Sequence, residues 1–342
     1  MISPHPPRFV AVAVLVLASF LTAPLTRLCA ETKEVRAAQQ YGVSYLALMV
    51  MEDGKLFEQK AKEMGLGDVK CTWTKLSGPG PMNDALLAGS LDFGTGGVPS
   101  LITLWSKTHK TPLNVRSIGA LNSMPNVLCT NNPAIKTIKD FTDKDKIAVT
   151  TVKVSTQALL LQMAAAQAFG QDKYEQLDKF TVGMSHPDSM IAVLGGKTEI
   201  TAHFASPPFQ SRELADPKVH AVLDSYEILG GPATFNVVWC TSKFHDENPK
   251  TFAAFLAAYK DATDRINKDK RAAAELYIRM TNSKESVDEI TQIISDPRVD
   301  FTLTPLQTMK TAEFMQKVGR IPDKPTSWKD MFFPELHNLP GS

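Results

Sequence analysis

The residues of this chain best placed to do chemistry are small, polar and uncharged, and they recur at one kind of position. Tyr41, Gly42 and Ser44, then Ser77, Gly78 and Gly80, then Gly96 and Gly97 each follow a short apolar run and precede a helical pattern. Ser155 and Thr156, Ser185 and His186, and His203, Phe204 and Ser206 repeat the arrangement later in the chain. At such a joint the first helical N–H groups lack backbone partners, and glycine lets a ligand approach them. The chemistry that suits is capture of an electron-rich solute by hydrogen bonds, each helix start contributing about 0.3–1 kcal/mol and more when desolvated. Tyr41, Gly42, Ser77, Gly78, Gly97, Ser155, Thr156, His203 and Phe204 are the expected ligand contacts. Any one of these loops also reads as a plain strand-to-helix joint; repetition is what points to a site.

Charge points the same way. No Asp or Glu occurs in residues 93–139, 147–171 or 228–245, spans that hold several of these loops. A cationic ligand would want a carboxylate there. Lys153 is the one obvious cation in these loops, and it reads equally well as a solvated surface lysine. Of seven histidines, His186 and His203 fall in the loops, each open to reading as a structural hydrogen-bonder or as a ligand contact.

Catalytic patterns fail on their own terms. Gly94-Thr-Gly96-Gly-Val-Pro99 begins like a dinucleotide fingerprint, but Pro99 stands where the third glycine belongs, and the acidic ribose partner is missing. The chain has no Gly-x-Ser-x-Gly elbow, no His-x-x-x-His pair and no Gly-Lys-Ser/Thr phosphate loop. No catalytic residue, metal site or cofactor is expected.

The elements that would position these loops alternate. Strands are expected at residues 35–39, 69–75, 91–94 and 116–121, with helices at 45–64, 82–88 and 99–106 between and after them. A second series follows, with strands at 127–130, 146–150, 180–183 and 200–204. Its helices are expected at 135–141, from Ser155 to residue 169, from Ser185-His-Pro187 and from Ser206-Pro207, serine capping and proline in the first turn. Strand–helix alternation with short joints implies mainly parallel sheets flanked by helices. After a last extended run at 235–240, residues 249–268, 271–280, 286–294 and 304–318 are all helical in period; they most simply pack back on the first series.

With 342 residues, 43% hydrophobic and 21% charged, at a net charge of +1, the chain can build two domain-sized lobes and carries no nucleic-acid footprint. Arg8, the apolar run 9–21, Pro24 and Ala30 read as a secretory signal peptide over residues 1–30, cut after Ala30 with Ala23 as the fallback. Cys71, Cys129 and Cys240 then remain; a Cys129–Cys240 disulfide and two buried free thiols are both open.

Several blocks resemble the periplasmic solute-binding proteins of the nitrate, sulfonate, taurine and thiamine-pyrimidine ABC importers. They are Asn83-Asp-Ala-Leu-Leu-Ala-Gly-Ser-Leu-Asp-Phe-Gly94 with Gly97-Val-Pro-Ser100, Ile138-Lys-Asp-Phe141 before Lys146-Ile-Ala-Val149, Ser155-Thr156 at a helix start, and His203-Phe-Ala-Ser-Pro-Pro-Phe209. The resemblance spans about residues 35–258. It implies a two-lobed type II periplasmic-binding-protein fold, with lobe 1 at 31–125 and 237–342, lobe 2 at 126–236, two crossovers, and the C-terminal helices on lobe 1. It further implies a monomeric, non-enzymatic binding protein of the periplasm that hands a small solute to an ABC permease. The solute is expected to be a sulfonate, taurine-like or other small anion. The alternatives are an aromatic carboxylate or pyrimidine, or a pyrimidine-forming enzyme of the same fold. The contact loops carried over are those around Tyr41, Ser77, Gly97, Ser155 and His203, and none of them contains an arginine.

Overall fold

The computed structural model describes residues 1–3 and 31–342, so residues 4–30 of the segment read as a signal peptide lie outside the described residues. Residues 31–342 form one compact unit. Its first part runs β1 (Glu34–Gln39), α1 (Leu46–Gly54), α2 (Leu56–Glu63), β2 (Lys70–Lys75), α3 (Pro79–Leu87), β3 (Gly94–Gly97), α4 (Val98–Thr108) and β4 (Val115–Ser123). Then come β5 (Val127–Thr130), β6 (Lys146–Val149), α5 (Thr156–Phe169), β7 (Thr181–Gly183), α6 (His186–Gly195), β8 (Ile200–Ala205), α7 (Phe209–Leu214), β9 (His220–Asp224) and α8 (Ser225–Leu229). The chain closes with β10 (Thr234–Thr241), α9 (Ser242–Glu247), α10 (Pro249–Lys268), α11 (Lys270–Thr281), α12 (Val287–Ile294) and α13 (Thr308–Lys317).

Two sheets share one strand plan. In one, the order is β7-β6-β8-β5-β9. In the other, a β1-β2 pair and a β3-β10-β4 ladder are joined where Ala38 donates to the Phe93 carbonyl and Phe93 to the Arg36 carbonyl, both at 3.1 Å. Each sheet thus reads second, first, third, reversed strand, fourth. The reversed strands, β10 in the first sheet and β5 in the second, are antiparallel to both their neighbours. The expected mainly parallel sheets are therefore mixed. The physical reason is the route of the chain: strands linked by helical crossovers run parallel, whereas β5 and β10 are entered by passing from one sheet to the other.

Local chemistry explains the other departures. The single helix expected at 45–64 breaks after Gly54, where Lys55 takes a left-handed φ of 48°. No helix forms at 135–141, because the Asp140 carboxylate accepts from the Lys136 and Thr137 N–H groups at 3.0 and 2.7 Å, a local turn that competes with helical bonding. The start expected at Ser206-Pro207 falls instead at Phe209, since Pro207 precedes Pro208 and a residue before proline is held out of the helical region. Strand β9 and helix α8 were not expected; their sequences are too short for a periodic signal. Cys129 on β5 and Cys240 on β10 sit in different sheets as buried free thiols, so no disulfide joins them.

The C-terminal helices pack on the first sheet. Phe255 of α10 stacks on Phe93 at 3.7 Å between ring centroids and touches Phe57 of α2 and Trp73 of β2, so one side chain joins three separate elements. Leu128, Ile147, Val149, Leu161, Phe180 and Phe204 form a separate core under the second sheet. Deleting the Phe255 ring should cost about 3–5 kcal/mol in urea unfolding followed by tryptophan fluorescence. A Phe255→Ala loss under about 1 kcal/mol would show that α10 is not what closes the first core.

Candidate functional site

Four helices begin at one point. Helix α3 starts at Pro79 after Gly78 and α4 at Val98 after Gly97, and neither has a side chain bonded to its first amides. On the other side Ser155 caps α5 by accepting from the Ala158 N–H at 3.3 Å, and Ser185 caps α6 by accepting from Asp188 at 3.4 Å. Between them lies a cavity of about 10 Å³. From the first sheet and its helices it is walled by Gln40, Tyr45, Pro79, Gly97, Phe235 and Asn236. The facing wall is Thr150, Ser155, Thr156, Gln157, His186 and Ser206. None of these is an acid, a lysine or an arginine. Thr156 Oγ1 and Asn236 Nδ2 are buried without a hydrogen-bond partner among the described residues. Burial pushes the Tyr45 phenol well above its usual pKa, so it stays protonated.

Glycine sets how closely the walls meet. A Cβ added at Gly97 would overlap Thr156 Oγ1. One at Gly78 would come within 2.8 Å of the Thr150 carbonyl oxygen, and one at Gly42 within 2.9 Å of the Pro207 carbonyl oxygen. At Gly97 and Gly78 the missing side chain leaves room for the other wall rather than for an unusual backbone angle; Gly42 also has a left-handed φ of 105°. The cavity is about the size of one water, so a larger guest requires the walls to separate.

Behind the wall runs a line of buried hydrogen bonds. Ser206 Oγ lies 3.2 Å and Gln157 Nε2 3.4 Å from His186 Nε2. His186 Nδ1 lies 2.7 Å from His203 Nε2, and His203 Nδ1 lies 2.6 Å from Glu213 Oε1. Since the hydroxyl and amide both donate to Nε2 of His186, its proton sits on Nδ1 and is donated to His203, which in turn donates from Nδ1 to Glu213. His203 and Glu213 are fully buried, and His186 is 5% exposed. Burial, reinforced by His203, pulls the His186 pKa well below its ordinary value and keeps the ring neutral. Phe209 stacks on His186 at 5.5 Å and fixes the plane of the ring.

The expected residues are sorted by this geometry. Gly97, Ser155 and Thr156 line the cavity, and Gly78 caps the helix whose first residue lines it. Tyr41 and Gly42 line a different cavity, of about 290 Å³, with Lys75 and Phe209. Ser77 is exposed. His203 stands one residue behind the wall, and Phe204 belongs to the core under the second sheet. Gln40, Gln157 and Asn236 line the cavity without having been expected; Tyr45, Ser206 and His186, which also line it, belong to the loops and aromatic residues singled out in the sequence though not to the expected contacts. Ser206 was legible as a polar residue at a strand end; the amides on β10 and in the first turn of α5 gave no such signal. The 290 Å³ cavity and another of about 460 Å³ flank the Arg212–Glu285 ion pair, their walls carrying charged side chains of both signs. Among the described residues no three metal-binding side chains cluster, and no helix is long and apolar enough to cross a membrane.

Comparison with known proteins places the fold. No curated protein sequence matches the chain. Solved structures do: the periplasmic aliphatic sulphonate binding protein SsuA of Escherichia coli aligns over 88% of this chain and 99% of its own, at 17% identity and a TM-score of 0.63. The alkanesulfonate-binding SsuA of Xanthomonas axonopodis pv. citri, bound to MOPS, covers 86% of this chain and 96% of its own at 16% identity and 0.66. The periplasmic nitrate-binding protein NrtA of Synechocystis PCC 6803 covers 85% and 83% at 15% identity and 0.68. At these identities the shared property is the fold, the periplasmic-binding-protein architecture. The sequence profile of the NMT1-like family matches residues 30–280, well over half the chain, and the protein belongs to that family.

Proposed function

We propose that this protein is the substrate-binding component of an ABC importer, capturing a small organic anion between two lobes and passing it unchanged to a membrane permease. The lobes follow the two sheets: residues 31–125 with 234–342, and residues 126–233, so the second crossover precedes β10 instead of falling at the expected 236/237. The carrying observation is the convergence of four helix starts, two from each lobe, on one enclosed point that no acidic side chain lines. Positive helix ends and free amide donors suit an anion or a strong acceptor. The contact set proposed is Gly78, Gly97, Ser155 and Thr156, with Gln40, Gln157, Asn236, Ser206 and His186; His203 acts through His186. A sulfonate fits this set without an arginine, because its single charge is spread over three oxygens that separate helix starts can each meet. Residues 1–30 are the export signal, and the mature protein works in the periplasm as a monomer.

Capture then requires the lobes to part and close about the two crossovers, near Pro125 and near Gly230-Gly231. Contacts between the two lobes include Arg212 with Glu285 at 3.4 Å, Arg320 with Gln162 at 3.0 Å and Tyr174 with the Val318 carbonyl at 3.3 Å, while the buried pair of Tyr226 and Ser123 at 2.8 Å lies beside the first crossover.

The experiment is a melting panel of the mature chain against ethanesulfonate, taurine, nitrate, benzoate and a pyrimidine. A solute at a hundred times its Kd adds about 2.7 kcal/mol, a rise of several degrees, and should be recovered intact. No shift from any anion, or conversion of one into product, would end this reading. Closure has its own test in Gly97→Ala, a change the local φ of −71° tolerates. Overpacking against Thr156 should cost about 1–3 kcal/mol in the closed form only, roughly a 5- to 150-fold loss of affinity with melting of the free protein little changed. Unchanged affinity would mean that these walls do not meet around the solute.

A further inference from the structure

The buried line Ser206–His186–His203–Glu213 is more elaborate than a ligand contact needs. A single histidine with a carbonyl behind it would orient an Nε2 just as well. We propose that this line is a proton-linked switch, which lets the cavity present an acceptor when empty and a donor when it holds an anion, with uptake of one proton per anion bound. The inference rests on the anion-binding reading above.

The steps balance. In the arrangement described, Glu213 is a carboxylate and both rings are neutral with their protons on Nδ1, so His186 Nε2 offers a lone pair toward Ser206 and the cavity. A bound anion makes that lone pair repulsive. If a proton enters at His186 Nε2, the Nδ1 proton of His186 passes to His203 Nε2 and that of His203 passes to Glu213 Oε1. One proton has come in from solvent, both rings are again neutral, Glu213 is an acid, and His186 now donates from Nε2 to the anion. Ser206 rotates its hydroxyl to accept or to join in donating, and the Gln157 amide, which can only donate, gives up its 3.4 Å contact with the ring and keeps its bond to Asn126 Oδ1 at 3.0 Å.

Three observations favour this over a static line. The cavity wall offers an anion no fixed cation. Glu213 is fully buried at the far end of the line, with His203 Nδ1 on its Oε1 at 2.6 Å and the Cys129 thiol facing it, so a proton handed down the line stops there. The 2.7 and 2.6 Å separations are short enough to carry a proton between the three groups. The surroundings add little competing charge. Cys129 of β5 faces Glu213, and burial together with that carboxylate pushes its thiol well above the usual pKa, so it stays neutral. From α5 comes the uncharged Gln157, and from β6 Ala148 lies beside His203. Asp188 of α6 is turned to Ser185 and Arg212 of α7 to Glu285, while the Tyr45 phenol opposite is protonated.

Calorimetric titration with ethanesulfonate, anionic throughout, in imidazole and in Tris buffers reads the proton directly, since neither buffer carries a competing sulfonate. Expected is uptake close to one proton, with affinity falling by up to about tenfold per pH unit on the alkaline side. Glu213→Gln should abolish both the uptake and the pH slope, whereas a merely structural role would lower affinity equally at every pH. Binding without uptake, on a flat pH profile, overturns the switch and leaves the anion-binding reading standing. Should ethanesulfonate not bind, that choice of solute fails, and ring ¹⁵N spectra of the free protein decide the switch alone. His186 and His203 must exchange tautomers together in one proton step that Glu213→Gln removes; independent titration, or no change, overturns it.

Discussion

Backbone has to meet side chain and backbone across the central gap before anything can be enclosed there, and glycine is what permits it. Gly42, Gly78 and Gly97 stand on the β1, β2 and β3 ends of the first sheet, and each faces an atom of the second half: the Pro207 carbonyl, the Thr150 carbonyl and the Thr156 hydroxyl. Any other residue at Gly97 would wedge the walls apart at the cavity itself. The consequence reaches into the helices. A glycine cannot cap with a side chain, so the first-turn amides that α3 and α4 possess, at Gly80 in α3 and at Val98 and Ser100 in α4 beside Pro79, Pro81 and Pro99, take no side-chain cap, while α5 and α6 spend serine hydroxyls on their own. Close approach and amide supply are one choice.

The repeated strand plan explains why four helix starts can share a point. In each sheet the parallel strands end on the same edge, and the helix that follows each strand begins there. The reversed strands, β10 and β5, lie beside those ends in the opposite sense. Asn236 at the beginning of β10 is thereby brought opposite Gly97, the cap of α4. Its side-chain amide adds a donor where the helix start already offers amides.

Much of this was legible in the sequence because it is local. Alternation of strand and helix, the serine caps of α5 and α6, the long α10 from Pro249 to Lys268 and the absence of acids near the joints follow from neighbouring residues. What was not legible depends on which way a strand faces and where two walls touch. His203 and Phe204 are adjacent on β8, so their side chains point to opposite faces, one to His186 and the other into the core. From sequence they looked like one pair of contacts. Gln40, Gln157 and Asn236 are ordinary amides until the fold turns them toward a common cavity, and Glu213 is an ordinary helix acid until β8 carries His203 beneath it.

The balance of charge at this point decides which anions can be held. Burying an unpaired ion costs several kcal/mol. Four helix starts at about 0.3–1 kcal/mol each, or up to about 2 in partly buried settings, repay that only if most of them face the charge at once. A compact anion can meet one or two helix starts, whereas an anion whose charge is spread over several oxygens can meet all four. The arrangement therefore favours diffuse charge over compact charge before any side chain is counted. It also leaves little surplus, so the protonation state of the one imidazole on the wall, His186, weighs more here than it would in a pocket with an arginine.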